Sequence, residues 1–140
     1  SHVDLSITKL LETGKRKIGF VGLSFKTGTD DLRESPLVAL AEQLVGKGIQ
    51  LSIYDPEVHL SRLLGANRRF IEQHVPHLGA LMKPHLADVV AESEVLVVGL
   101  ATAEIFKTLA ETVKPGQYVL DLVGLPADLK LQGEVEGLCW

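Results

Sequence analysis

Two cations seven residues apart, Lys26 and Arg33, lie in the segment Lys17 to Pro36, KIGFVGLSFKTGTDDLRESP, with Thr27, Gly28, Thr29, Asp30 and Asp31 between them. An ammonium is a compact point charge and a guanidinium a planar fork, and both favour phosphate oxygens as partners. Hydroxyls and a glycine between the cations, just ahead of a helix start, make the segment a candidate for gripping a phosphate-bearing ligand. The competing reading of the same residues is a solvated charged loop whose ion pairs contribute little. The two cations are expected to be buried or half-buried, with neither Asp30 nor Asp31 placed to serve both.

The elements that must position this loop are legible on either side of it. Ile18, Phe20 and Val21 read as a central parallel strand buried on both faces, and Gly19 and Gly22 admit a close approach of backbone or ligand. Ser35 reads as an N-cap with Pro36 at the first helical position. Further strands are expected at 49–54, 95–99, 118–122 and 135–139, after the first at 17–22. Helices are expected at 4–13, 36–47, 57–65, 68–75, 86–92 and 104–112, with Leu5, Leu10 and Leu11 the apolar residues of the first. Strands alternating with helices imply a doubly wound α/β fold: a mostly parallel, five-stranded Rossmann-like sheet with helices on both faces and strand order 2-1-3-4-5. Ligands then bind in the crevice where the chain reverses between the first and third strands. Loops 23–35 and 99–104 should face each other there. The stretch HVPHLGALMKPHL, inside the long second-to-third connection, receives no firm assignment.

Composition removes several classes of partner. The chain has 140 residues, 46% hydrophobic and 23% charged, with a net charge of −4, which suits one core and argues against nucleic acid as a partner. The apolar runs near 18–25 and 95–103 are too short to span a bilayer, and the first 15 residues lack a signal-peptide pattern. The single cysteine, Cys139, forbids an internal disulfide and fits a reducing compartment, so no membrane partner and a cytoplasmic location are expected.

Other constellations are weaker. Gly19 and Gly22 lack the G-x-G-x-x-G spacing of a self-sufficient dinucleotide site, and Lys26-Thr27 lacks the glycines of a P-loop. Asp55-Pro56 reads as a turn and helix cap in preference to a ribose-binding acid. His74 and His77 have no third ligand near them, so no metal site is expected. Cys139 reads as structural, having no histidine or helix start nearby to activate it. Thr102 and Glu104 read equally as ligand contacts or as a helix cap, and Asp121 to Pro126 equally as a ligand border or a turn. A phospho-receiver module shares the topology but needs acids at the ends of its first and third strands, where this chain has Gly22 and Gly99.

Taken together, GFVGLSFKTGTDDLRESP, YDP at 54–56, DLVG at 121–124 and the terminal GLCW resemble the C-terminal domain of the UDP-glucose/GDP-mannose dehydrogenase family. The resemblance runs from about residue 15 to residue 140. Asp121-Leu-Val-Gly124 stands where UDP-sugar members usually show Asp-Gly-Arg, which, with the GLCW ending, favours the GDP-mannose branch; the UDP-glucose branch is the alternative. The resemblance implies an upstream Rossmann domain holding most of the NAD, a long connecting helix carrying a homodimer interface, and residues 1–14 as the end of that helix. It implies oxidation of a sugar C6 alcohol to a carboxylate by two hydride transfers, through a cysteine thiohemiacetal and thioester, in supply of an alginate precursor. Neither that cysteine nor the NAD fingerprint lies in this sequence, so no catalytic residue is expected here and the chain alone should be inert. By motif position, Lys26 corresponds to the lysine that contacts the nucleotide sugar, GDP-mannose, and Arg33 to the arginine that reaches NAD.

Overall fold

Strands flanked on both faces by helices are apolar on both, and the buried runs at 18–21 and 95–98 form the centre of the sheet. In the computed structural model, which describes residues 2–64 and 76–137, the strands are β1 (Lys17–Val21), β2 (Gln50–Tyr54), β3 (Val95–Val98), β4 (Tyr118–Asp121) and β5 (Glu134–Gly137). All neighbours pair in parallel in the order β2-β1-β3-β4-β5. The expected fold class and order are both observed. Strand ends differ from expectation by a residue or two, and Cys139 lies outside the described residues.

The helices are α1 (His2–Glu12), α2 (Pro36–Gly46), α3 (Pro56–Leu64), α4 (Pro76–Gly79), α5 (Leu86–Glu92) and α6 (Ala103–Thr112). The expected helix at 68–75, with His74, lies outside the described residues. One apolar cluster joins Ile7 and Leu10 of α1 and Leu37, Leu40 and Leu44 of α2 to Ile18 and Phe20. A second joins Val89 and Val90 of α5 and Ile105 and Leu109 of α6 to Val21, Leu96, Val98 and Val119. The sheet is therefore covered on both sides. In α1 the buried residues are Ser6, Ile7 and Leu10, while Leu5 and Leu11 remain 45% and 40% exposed. Ile7 and Leu10 are three apart and share the face turned to the core; Leu5 and Leu11 flank it.

The unassigned stretch between β2 and β3 has a definite role in part. The N–H of Ile53 donates to the carbonyl of Leu81 at 2.9 Å and that of Lys83 to the carbonyl of Ile53 at 2.7 Å, forming a parallel bridge between Ile53 and Met82. Leu78 and Met82 are buried in the first apolar cluster. A short segment thus covers the outer edge of β2, where unpaired backbone groups would otherwise invite association.

Close packing explains Gly19. A β-carbon there would collide with Ser93 Oγ, lie 2.7 Å from Val89 Cγ1 and 3.0 Å from Leu96 Cδ2. All three neighbours are buried, so α5 sits directly on β1 with no room for a methyl group. Gly19→Ala should therefore lower stability by about 1–3 kcal/mol, measured by urea unfolding. A midpoint unchanged from the parent chain would contradict this packing.

Candidate functional site

β1 leads into the loop through a sharp turn. Gly22 has φ +102°, and a β-carbon there would strike Leu100, which follows β3. Gly99 in turn leaves space filled by Leu37 and by Phe25, whose ring lies 3.4 Å from the position a β-carbon would take. The exits of β1 and β3 therefore touch, and the loops after them meet at the carboxyl ends of the strands, as expected from the topology.

Loop 23–35 is pinned at several points. The side chain of Asp55, fully buried at the end of β2, accepts from the N–H of Leu23 at 2.8 Å and of Ser24 at 3.1 Å through Oδ2. Its Oδ1 accepts from the N–H of Val58 at 3.2 Å, capping α3. Ser35 Oγ donates to the Leu23 carbonyl at 2.6 Å and accepts from the Leu37 N–H at 3.2 Å, so one hydroxyl joins the two ends of the loop and caps α2. Ser24 Oγ donates to the carbonyl of Lys26 at 2.8 Å. Phe25 packs against the core with a backbone φ of +64°, a left-handed conformation that a non-glycine residue adopts only when its surroundings hold it there. Leu32 is buried, at 2% exposure.

These anchors push the charged residues outward. Lys26 follows Phe25, and Asp31 and Arg33 flank Leu32; Lys26 is exposed, and the Arg33 side chain is 77% exposed. The expectation of half-buried cations is thus corrected: the loop buries its apolar residues and displays both cations to solvent. Asp31 Oδ1 accepts from Arg33 Nε at 3.0 Å and Oδ2 from Arg33 Nη2 at 3.1 Å, while the Arg33 N–H donates to Oδ1 at 3.0 Å. The side-chain and then the backbone hydrogen bonds from Arg33 pull the Asp31 carboxyl down to about 2, and the charge of Lys26 acts in the same direction. Lys26, Asp31 and Arg33 therefore share one electrostatic patch.

The remaining residues divide. Asp55 is the turn and cap expected of Asp-Pro, and it is also the anchor of the loop, a role the sequence reading missed. Strand register carried that signal, because Val21 pairs with Tyr54 and so places Asp55 beside the β1 exit. Thr102 caps α6, its Oγ1 accepting from the Ile105 N–H at 3.2 Å. Glu104 and Tyr54 line a cleft of about 280 Å³ at the same rim, with His85 and Thr108. Burial first, then the charges of Glu104 and Asp55, push the Tyr54 phenol up. Asp121 forms a turn, accepting from the N–H groups of Val123 and Gly124 at 2.9 Å and of Leu125 at 2.7 Å. No group of His, Cys, Asp and Glu among the described residues is suited to hold a metal, and no helix among them is long and apolar enough to cross a membrane.

Residues 19–125 match the sequence pattern described as UDP-glucose/GDP-mannose dehydrogenase family, UDP binding domain. A GDP-mannose 6-dehydrogenase of Azotobacter vinelandii is 49% identical over 91% of this chain and 29% of its own length. One from Pseudomonas syringae pv. syringae is 47% identical over 100% of this chain and 32% of its own length. The chain thus spans about a third of the length of these relatives. Among solved structures, a ternary complex of GDP-mannose dehydrogenase from Pseudomonas aeruginosa superposes with a TM-score of 0.83 at 43% identity, over 95% of this chain and 30% of that one. A UDP-glucose dehydrogenase from Pyrobaculum islandicum has the same fold, with a TM-score of 0.70 at 22% identity over 97% of this chain and 29% of that one.

Removing the Asp55 carboxylate leaves three buried N–H groups unpaired. Asp55→Ala should cost about 2–4 kcal/mol in urea unfolding and speed amide exchange at Leu23 and Ser24. Unchanged exchange at those two positions would show that the anchor is dispensable. The Asp31 carboxyl should titrate by NMR with a midpoint near 2 and return toward 3.8 in Arg33→Ala. Because its folded value lies below the unfolded one, its stabilising contribution is present above 3.8 and is lost as the pH falls toward 2.

Proposed function

This chain belongs to the UDP-glucose/GDP-mannose dehydrogenase family, and from that premise we propose that it is the nucleotide-sugar-binding, C-terminal domain of an NAD-dependent GDP-mannose 6-dehydrogenase. The observation that carries the reading is the display of Lys26 and Arg33 from one pinned loop, at the topological switch point of the sheet. In this reading residues 1–14 are the end of a connecting helix and residues 15–140 are the domain. The whole enzyme works as a cytoplasmic homodimer that oxidises GDP-mannose to GDP-mannuronate, an alginate precursor.

Lys26 binds the nucleotide sugar through charge-assisted hydrogen bonds, and Arg33 reaches the diphosphate of NAD. An exposed guanidinium with one edge engaged by Asp31 suits a phosphate contact. The chain has no dinucleotide fingerprint, so it contributes to the coenzyme site without forming it. NAD supplies the hydride acceptor when bound. What these residues do is orient and hold: a loop already ordered by Asp55, Ser35 and Leu32 needs little further ordering when ligand arrives. Identity of 46–49% with several GDP-mannose 6-dehydrogenases supports the sugar donor chosen over UDP-glucose.

A charge-assisted contact contributes about 1.5–3 kcal/mol, so Lys26→Ala in the full-length enzyme should weaken GDP-mannose binding by roughly 10- to 150-fold. Calorimetric titration with GDP-mannose and with UDP-glucose checks this. Equal affinity of the two proteins for GDP-mannose removes Lys26 from the site, and a preference of the parent enzyme for UDP-glucose moves the assignment to the sister branch.

A further inference from the structure

Resting on the reading of Arg33 as the residue that reaches the coenzyme diphosphate, we infer that Asp31 is a positioning residue that holds the Arg33 guanidinium side-on and keeps its terminal edge open for a phosphate. A guanidinium offers two edges for paired hydrogen bonds, one formed by Nε and Nη2 and the other by Nη1 and Nη2. Asp31 takes the first, through Nε at 3.0 Å and Nη2 at 3.1 Å. The second edge has no partner among the described residues, and the side chain is 77% exposed.

The local backbone is built to hold this arrangement. Asp31 Oδ1 also accepts from the Arg33 N–H at 3.0 Å, so one carboxylate fixes both the main chain and the side chain of the same residue. Thr29 Oγ1 accepts from the Asp31 N–H at 3.1 Å and repeats the same two-residue step two residues earlier. Leu32, buried between the pair, sets which way both neighbours point. With its carboxyl at about 2, Asp31 keeps its charge throughout the neutral range.

Two effects of Asp31 on an incoming phosphate oppose each other. Its negative charge repels the ligand, but at an exposed site water and salt screen that repulsion. Its hold on the guanidinium removes rotamer freedom before binding, and because it acts through direct bidentate contacts at 3.0 and 3.1 Å it is screened less than the repulsion on a phosphate at the far edge. Orientation is therefore the larger effect, and loss of Asp31 should weaken coenzyme binding even though it removes a like charge.

The test measures equilibrium binding to the full-length enzyme, NADH by its fluorescence and GDP-mannose by calorimetry, in Asp31→Ala, Asp31→Asn, Arg33→Ala and the Asp31→Ala/Arg33→Ala double variant. Both Asp31 variants should weaken NADH binding about 2- to 10-fold without weakening GDP-mannose binding. In the Arg33→Ala background, Asp31→Ala should add no further loss. Unchanged or tighter NADH binding in the Asp31 variants, a parallel loss of GDP-mannose affinity, or a loss that survives without Arg33 would each overturn the inference. If Arg33→Ala itself leaves NADH affinity unaltered, the assignment of Arg33 fails as well, which separates the two results.

Discussion

A single buried carboxylate organises the working end of this domain. Asp55 is withdrawn from water, and its two oxygens are satisfied by three backbone N–H groups, those of Leu23, Ser24 and Val58. A buried charge is tolerable only with such compensation. Here the compensation joins the exit of β1, the exit of β2 and the start of α3. Asp121 repeats the device at the end of β4 with the N–H groups of Val123, Gly124 and Leu125. Two strand-terminal acids thus bind the backbone, while Lys26 and Arg33 are displayed to solvent.

Close approach supplies the second constraint. Gly19, Gly22 and Gly99 occupy positions where a β-carbon would meet Ser93, Leu100 and Leu37 respectively. Side chains of α5 therefore pack directly on the backbone of β1 at mid-strand, and Leu100 and the start of α2 do so at the switch point. That rigidity makes a left-handed Phe25 sustainable, because its ring is held by the core while the next residue is turned to solvent. Ordering has already occurred in the loop, which suits a domain whose proposed task is to hold a ligand in place for chemistry carried out by other residues.

Much of this was legible in the chain. The buried strand around Phe20, the Ser35-Pro36 start of α2 and the order β2-β1-β3-β4-β5 follow from local pattern and connection rules, and all three are observed. The parts that were not legible depend on contacts between segments distant in sequence. Asp55 reads locally as a turn, and only the register of β1 against β2 shows that it also anchors residues 23 and 24. The bridge between Ile53 and Met82 joins residues with no shared local pattern. Exposure of Arg33 follows from burial of its neighbour Leu32, a tertiary event that charge spacing cannot report.

The most direct measurement is a crystal structure of the full-length enzyme with GDP-mannose and NAD bound. The account predicts the backbone of loop 23–35 within about 1 Å of its position here, with Lys26 Nζ at hydrogen-bond distance from the nucleotide sugar and the terminal edge of Arg33 on a coenzyme phosphate. A nucleotide sugar bound elsewhere, with Lys26 and Arg33 both left in solvent, would contradict it.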